Sequence, residues 1–201
     1  MKVILATSNK GKVKELKEIL PEFDLIAYRD ILGDFEIEEN GKTFAQNALI
    51  KARAIFEKLK DEKNFIVLSD DSGISLPILD HKPGIFSARY AGENASDKDN
   101  LEKLIQEIKN LNLDSALAYY TAAVAVVGNL GEWVSHGWMY GKVITTPRGD
   151  KGFGYDPIFI PNGYTKTLGE LESKIKQKLS HRSKAVENIK PLLEMLKRKL
   201  N

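Results

Sequence analysis

The sequence contains no cysteine, which excludes a disulfide framework, a thiolate nucleophile and any cysteine-held zinc. Its three histidines, His81, His136 and His181, are far apart, so a histidine-rich metal site is not expected either. Any metal should then be a hard cation on oxygen ligands, magnesium or manganese. Long apolar runs are also missing. The first one, Val3-Ile4-Leu5-Ala6, is too short for a signal peptide, and no stretch approaches a membrane span. The expectation is a cytoplasmic protein with no membrane partner. Nor is there a strong charge of one sign: the formal net charge is +2, too little by itself to argue for nucleic acid. The charge is unevenly spread, with acids at Asp34, Glu36, Glu38 and Glu39 and bases at Lys10, Lys12 and Lys14 and again from Lys174 to Lys184. Separate acidic and basic patches suit a metal-bound polyphosphate better than a nucleic-acid backbone, although taken singly most of these lysines read as solvated.

What is present is the composition of a soluble globular chain: 201 residues, 42% hydrophobic and 29% charged, enough for one substantial core in a single domain. Lys2 to Ala6 reads as a buried strand and Lys12 to Leu20 as an amphipathic helix stopped by Pro21. Between them Thr7-Ser8-Asn9-Lys10-Gly11-Lys12 forms a strand-to-helix loop that turns N–H groups and a positive helix end toward an anion. It lacks Walker spacing, and a plain N-cap from Ser8 or Asn9 is an equal reading. Asp24 to Tyr28 reads as a second strand and Asp34 to Asn40 as an acidic loop. Thr43 and Gln46 form a capping box for a helix with Phe44, Ala48, Ile55 and Leu59 on one side. Lys51 lies in the middle of that apolar side, where an unpaired ammonium is costly, so it should meet a carboxylate or a phosphate.

The run Phe65-Ile66-Val67-Leu68 reads as a buried strand ending in Ser69-Asp70-Asp71-Ser72-Gly73. Alternation sends Asp70 and Asp71 to opposite faces, which leaves open whether one binds metal or activates water, or whether the stretch is a turn. Further on, Ile74 to Leu79 reads as a short edge strand held there by Pro77, followed by a loop from Ile85 to Gly92. Ser96 and Asp99 cap a helix carrying Leu101, Leu104, Ile105 and Ile108. Ala118 to Val127 and Glu132 to Ile144 read as a long hairpin around Gly128-Asn129-Leu130-Gly131, of a type that can carry a homodimer interface. Trp133, Trp138 and His136 on it are read as structural. In the glycine-rich loop from Gly149 to Pro157, Phe153 and Tyr155 offer flat faces to a base and Asp156 an acceptor to its edge; a turn with both aromatics tucked inward is the competing reading. A strand Ile158 to Ile160 follows. A final helical region starts near Thr167, breaks at Leu179 to Ser183, and resumes with Ala185, Ile189, Leu192 and Leu196 inward and a kink at Pro191.

Taken together, Thr7-Ser8-Asn9 with Lys12, Ser69-Asp70-Asp71-Ser72-Gly73, Pro83 to Tyr90, Phe153-Gly154-Tyr155-Asp156-Pro157 and Ser180-His181-Arg182 resemble the inosine/xanthosine triphosphate pyrophosphatases in order and over nearly the whole chain. The resemblance implies an α/β fold, a mixed elongated central sheet flanked by helices, with two lobes and the active-site cleft between them. It implies magnesium-dependent hydrolysis of ITP, dITP and XTP to the monophosphate and pyrophosphate, which cleanses the nucleotide pool. By the same matching, Thr7, Ser8, Asn9, Lys10, Gly11 and Lys12 look like the triphosphate cradle, Asp71 like catalytic base and metal ligand, and Glu39, with Glu38 adjacent, like the second metal ligand. Lys51 looks like a lysine at the reaction centre and Ser72 like a substrate contact. Phe153, Gly154, Tyr155 and Asp156, with His181 and Arg182, resemble the purine site. One departure concerns Lys176, a further substrate contact of that pattern: Lys174 and Ile175 precede it where the family usually has acids. Two readings from other classes are a non-catalytic nucleotide sensor, which would not need Lys51 or two acids from distant segments, and a basic nucleic-acid binder, which predicts strongly salt-dependent binding.

Overall fold

Along β1 (Lys2–Leu5), β2 (Asp24–Ala27) and β3 (Phe65–Leu76) the apolar side chains alternate between two faces, and helices cover both. The computed structural model describes residues 1–7, 9–33 and 35–200. The other elements are α1 (Lys10–Ile19), α2 (Arg29–Leu32), α3 (Phe44–Lys58), β4 (Lys82–Pro83), α4 (Asp97–Asn110), β5 (Ser115–Gly128), β6 (Gly131–Ile144), β7 (Phe159–Pro161), α5 (Ser173–Leu179) and α6 (His181–Leu200). The strand order is β2-β1-β3-β5-β6-β7, with β4 on β3. β1 runs parallel to β2 and β3, whereas β4 and β7 pair antiparallel. This is the mixed sheet with flanking helices that the sequence implied.

The chain divides into two compact units. The first comprises Met1–Asp71, Ala122–Gly137 and Arg182–Asn201. On one face of its strands Val3, Leu5, Ile66, Leu68, Val124 and Val126 pack with Leu16 of α1, with Leu20 that caps it, and with Ala185, Ile189 and Leu193 of α6. On the other face Ile4, Phe65, Val67, Ala123 and Ala125 pack with Ala48, Ala52 and Ile55 of α3. Period-two geometry therefore fixes which helix each strand residue meets. The second unit comprises Ser72–Thr121 and Trp138–His181. Its core joins Ile74 and Leu76 to Leu101, Leu104 and Ile108 of α4, and to Tyr120, Met139, Val143, Tyr155 and Phe159.

Several boundaries differ from the sequence reading. α1 begins at Lys10 because Asn9, with extended backbone, accepts the Lys12 N–H at 3.1 Å. The capping pair at α3 is formed, but the Gln46 amide accepts from Lys42 N rather than from the cap residue itself. Ser96 and Asp99 make the full reciprocal box at α4. The largest correction is β3: it does not end at Leu68 but continues through Ser69-Asp70-Asp71-Ser72-Gly73 to Leu76, so the turn reading and the separate edge strand are both wrong. Pro77 opens a 3-10 turn instead. The loop after Gly84 is a 3-10 segment to Arg89. The last helical region starts at Ser173, not near Thr167, and only Ser180 separates α5 from α6. Pro191 sits inside α6.

Candidate active site

In the first unit, β3 presents its two consecutive acids to opposite faces. Asp71 shares the face of Val67, covered by α3, and Asp70 shares that of Leu68, covered by α1 and α6. On the α3 face, Lys51 extends from the apolar stripe and places its ammonium 2.9 Å from Glu39 Oε2 and 3.6 Å from Asp71 Oδ1. The carboxylate partner expected for this lysine is thus a pair. Glu39 makes the contact, while Glu38 is exposed. Burial alone would lower the Lys51 pKa, but Asp71 and Glu39 outweigh it and raise it, so Lys51 stays charged. Burial pushes the Asp71 carboxyl above its ordinary value, against the pull of Lys51 and Lys12. A carboxyl whose pKa is raised by burial beside a lysine is a candidate for accepting a proton.

On the opposite face, Asp70 takes Lys12 Nζ at 3.1 Å and Arg182 Nε at 2.9 Å, and Arg182 also bonds Glu15. Burial would raise Asp70, yet Lys12, Arg182 and Lys51 outweigh it and hold its carboxyl far below the usual range. For Lys12 burial is the larger effect and lowers its pKa, with Asp70 opposing. The two acids therefore have opposite electrostatic characters. The loop before α1 is bound by its own polar groups: Asn9 N donates to Thr7 Oγ1 at 3.3 Å, and Asn9 caps the helix. Lys10 and Gly11 are exposed in the first helical turn. Ser8 lies outside the described residues.

In the second unit, Phe153 is 43% exposed and Tyr155 only 5%. Tyr155 does not offer the face expected of it: its ring belongs to the core and its hydroxyl donates to Ser87 O at 2.8 Å. Gly154 N donates to Asp97 Oδ2 at 2.9 Å. Lys176 bonds Asp156 Oδ2 at 2.6 Å despite its unusual neighbours. Gly152, at φ +92°, lets this pair form, because a Cβ there would collide with both Asp156 Oδ2 and Lys176 Nζ. His181 stacks on Tyr120, centroids 4.7 Å apart and planes 14° from parallel. Ser72, half-buried, is the first residue of this unit. His181 and Arg182, expected to act as a pair, have separate surroundings: one meets an aromatic ring and the other two carboxylates.

Sequence reasoning missed Glu15, Asn47, Tyr120 and Gly152. Asn47 carried a usable signal, being an amide on the apolar stripe of α3 one turn before Lys51. Glu15 follows Lys12 by three residues on the same helix face. Tyr120 had none, since only the fold brings it to His181.

A Ham1 family model matches residues 3–192 of this chain. The dITP/XTP pyrophosphatase of Sulfurovum sp. (strain NBC37-1) is 56% identical, the match covering 99% of this chain and 96% of that protein. The dITP/XTP pyrophosphatase of Nautilia profundicola is 55% identical, with 98% and 99% covered. The solved Ham1 protein of Coxiella burnetii superposes with a TM-score of 0.86 at 33% identity over 97% of this chain and 99% of its own. The Ham1 protein of Staphylococcus aureus superposes at 0.84 and 35% identity over 96% and 98%.

Proposed function

The chain belongs to the Ham1 family, and from that premise we propose that it hydrolyses ITP, dITP and XTP, non-standard purine nucleoside triphosphates, to the monophosphate and pyrophosphate. The observation that carries this reading is Lys51 held between Glu39 and Asp71. A plain nucleotide sensor has no need of a buried ammonium between two carboxylates from distant segments.

The same residues suit magnesium. Glu39 and Asp71 are hard oxygen donors already gathered around one cation, the Lys51 ammonium. Among the described residues no third His, Cys, Asp or Glu joins them as a metal cluster. Two carboxylates, with substrate phosphates and water completing the shell, is how magnesium is usually held. When bound it would draw charge from the phosphates. Asp71 orients the attacking water and accepts its proton. Lys12, Lys51 and the N–H groups of the Thr7 to Lys12 loop neutralise charge on the departing pyrophosphate; such reactions depend on positioning and electrostatics. Arg182 acts behind Lys12 by fixing Asp70. At the base, Phe153 supplies the stacking face, and Asp156, Lys176 and His181 supply the polar contacts. Donors meeting a 6-carbonyl would be left unpaired against a 6-amino group, which discriminates by about 10⁴ or more.

We place the enzyme in the cytoplasm as a homodimer that binds neither nucleic acid nor membrane. Exposed Leu117, Trp138 and Tyr140 on the hairpin strands support pairing, and among the described residues no helix is long and apolar enough to cross a membrane. The deciding assay is a panel of ITP, XTP, dITP, GTP and ATP with magnesium, read for pyrophosphate against orthophosphate. Pyrophosphate from the first three is expected; orthophosphate as primary product would overturn the assignment of the cleaved bond.

A further inference from the structure

Glu39 sits in a segment, Phe35 to Lys42, that forms neither helix nor strand, so something else must hold its carboxylate at Lys51. Side chains of α3 hold the end of that segment. Gln46 Oε1 accepts from Lys42 N at 2.7 Å, and Asn47 Oδ1 accepts from Gly41 N at 2.8 Å. Asn47 is 1% exposed, far below what an amide adopts without a task. Its other end, Nδ2, makes no hydrogen bond of normal geometry among the described residues. That end belongs to the α3 face that covers the Val67 and Asp71 side of β3, and Asn47 pulls the Asp71 carboxyl toward its charged form against the effect of burial. One turn along the same helix face stands Lys51. Gly41 is shaped to this contact: a Cβ there would lie 2.5 Å from Asn47 Oδ1 and 2.8 Å from Gln46 Cβ.

We infer that Asn47 is a positioning residue for the reaction proposed above, on which this inference rests: its amide oxygen ties the Glu39 segment to α3, and its amide nitrogen stands on the helix face that covers Asp71. Only a side chain with an acceptor and a donor on one short stem fills both roles. Aspartate keeps the bond to Gly41 but turns a like charge on Asp71. Alanine loses both contacts. Neither substitution touches the substrate, so the loss should fall on kcat and on metal affinity rather than on KM.

The experiment uses the full chain and Mn²⁺ as probe, with Mn²⁺ affinity read by calorimetry and kcat and KM read for dITP. Asn47→Ala and Gly41→Ala should each lower Mn²⁺ affinity or kcat by about 10–100-fold, the range found when groups orienting metal ligands are removed, with KM little changed. Because both break the same bond, the double variant should be no worse than the more severe single one. Asn47→Asp should lower kcat despite keeping the Gly41 bond. In the unaltered protein the Gly41 amide should exchange slowly with deuterium although it lies in a loop. Wild-type kcat and Mn²⁺ affinity in folded Asn47→Ala, or free-coil exchange at Gly41, would overturn the inference; the exchange arm decides even where a variant does not fold. Absence of pyrophosphate release by the unaltered protein would instead remove the proposed reaction, while Gly41 exchange and Mn²⁺ affinity still decide whether Asn47 holds the acids.

Discussion

Replacing Asp70 with asparagine should cost stability out of proportion to a one-atom change. Its carboxylate is fully buried and meets Lys12 at 3.1 Å and Arg182 at 2.9 Å, the latter 2% exposed. At an effective dielectric of about 20, each contact is worth roughly 5 to 6 kcal/mol of direct attraction, much of it offset by the cost of removing the ions from water. Asp70→Asn leaves the desolvation of the two cations in place and removes the attraction, so they face each other with Glu15 as the remaining strong counter-charge. Removing one member of such a buried cluster costs about 3–5 kcal/mol. With a urea slope of about 3 kcal/mol per molar, the unfolding midpoint should fall by about 1–2 M. The pH dependence has a definite sign. A carboxyl held below its unfolded value stabilises fully above that value, about 3.9, and loses the contribution as pH falls toward its depressed folded value. The wild-type unfolding free energy should therefore drop below about pH 4 by up to ~1.4 kcal/mol per pH unit from this group, and the variant should lack that share. Urea melts at pH 7 and at several acid pH values, with circular dichroism as a check on the fold, provide the data. A loss under about 1 kcal/mol at pH 7 would refute the reasoning, because a buried ion cluster does not tolerate the loss of its central charge so cheaply.

Asp71→Asn should abolish turnover by several orders of magnitude while calorimetry still detects dITP binding; near-normal turnover would remove Asp71 from the mechanism. Chelation with EDTA should stop pyrophosphate release and added magnesium should restore it, whereas activity persisting in EDTA would mean that Glu39 and Asp71 hold no metal. Phe153→Ala should raise the dITP KM by the value of one base stack, about 1–3 kcal/mol, with kcat largely kept. An unchanged KM would place the base elsewhere.

The parts of the fold legible in the sequence were those where one local signal dominates. α4 carries its capping box and apolar stripe within its own residues, and β1 is a short apolar run. Lys51 was legible as an anomaly, since a charge in the centre of an apolar stripe demands a partner wherever the chain finds one. The continuation of β3 was not legible. Ser69-Asp70-Asp71-Ser72-Gly73 has turn composition, and what keeps it extended is distant: Arg182 is 112 residues from Asp70 and Lys12 lies on another helix. Tyr155 shows the same limit. Its local sequence fits an exposed loop, but Ser87 accepts its hydroxyl and the second core takes its ring. The joining of α5 and α6 with only Ser180 between them likewise depends on residues that the sequence places far off: α6 is held by the face of Val3, Leu5 and Ile66.

Two adjacent acids on one strand allow a division of labour that two acids on a helix or loop would not. Because β3 stays extended through the motif, the backbone itself guarantees that Asp70 and Asp71 face different helices. Asp70 can then be neutralised completely by Lys12 and Arg182, fixing α1, β3 and the start of α6 to one another. Asp71, one residue on, keeps a raised pKa because burial outweighs Lys51 and Lys12. The pair Ser69-Asp70 cannot substitute for Asp70-Asp71 by a shift of one, since a one-residue slip exchanges the faces. It would deliver the reactive carboxylate to the cations and the structural one to Glu39. The strand that the sequence read as ending at these acids must run through them for the two to do different work.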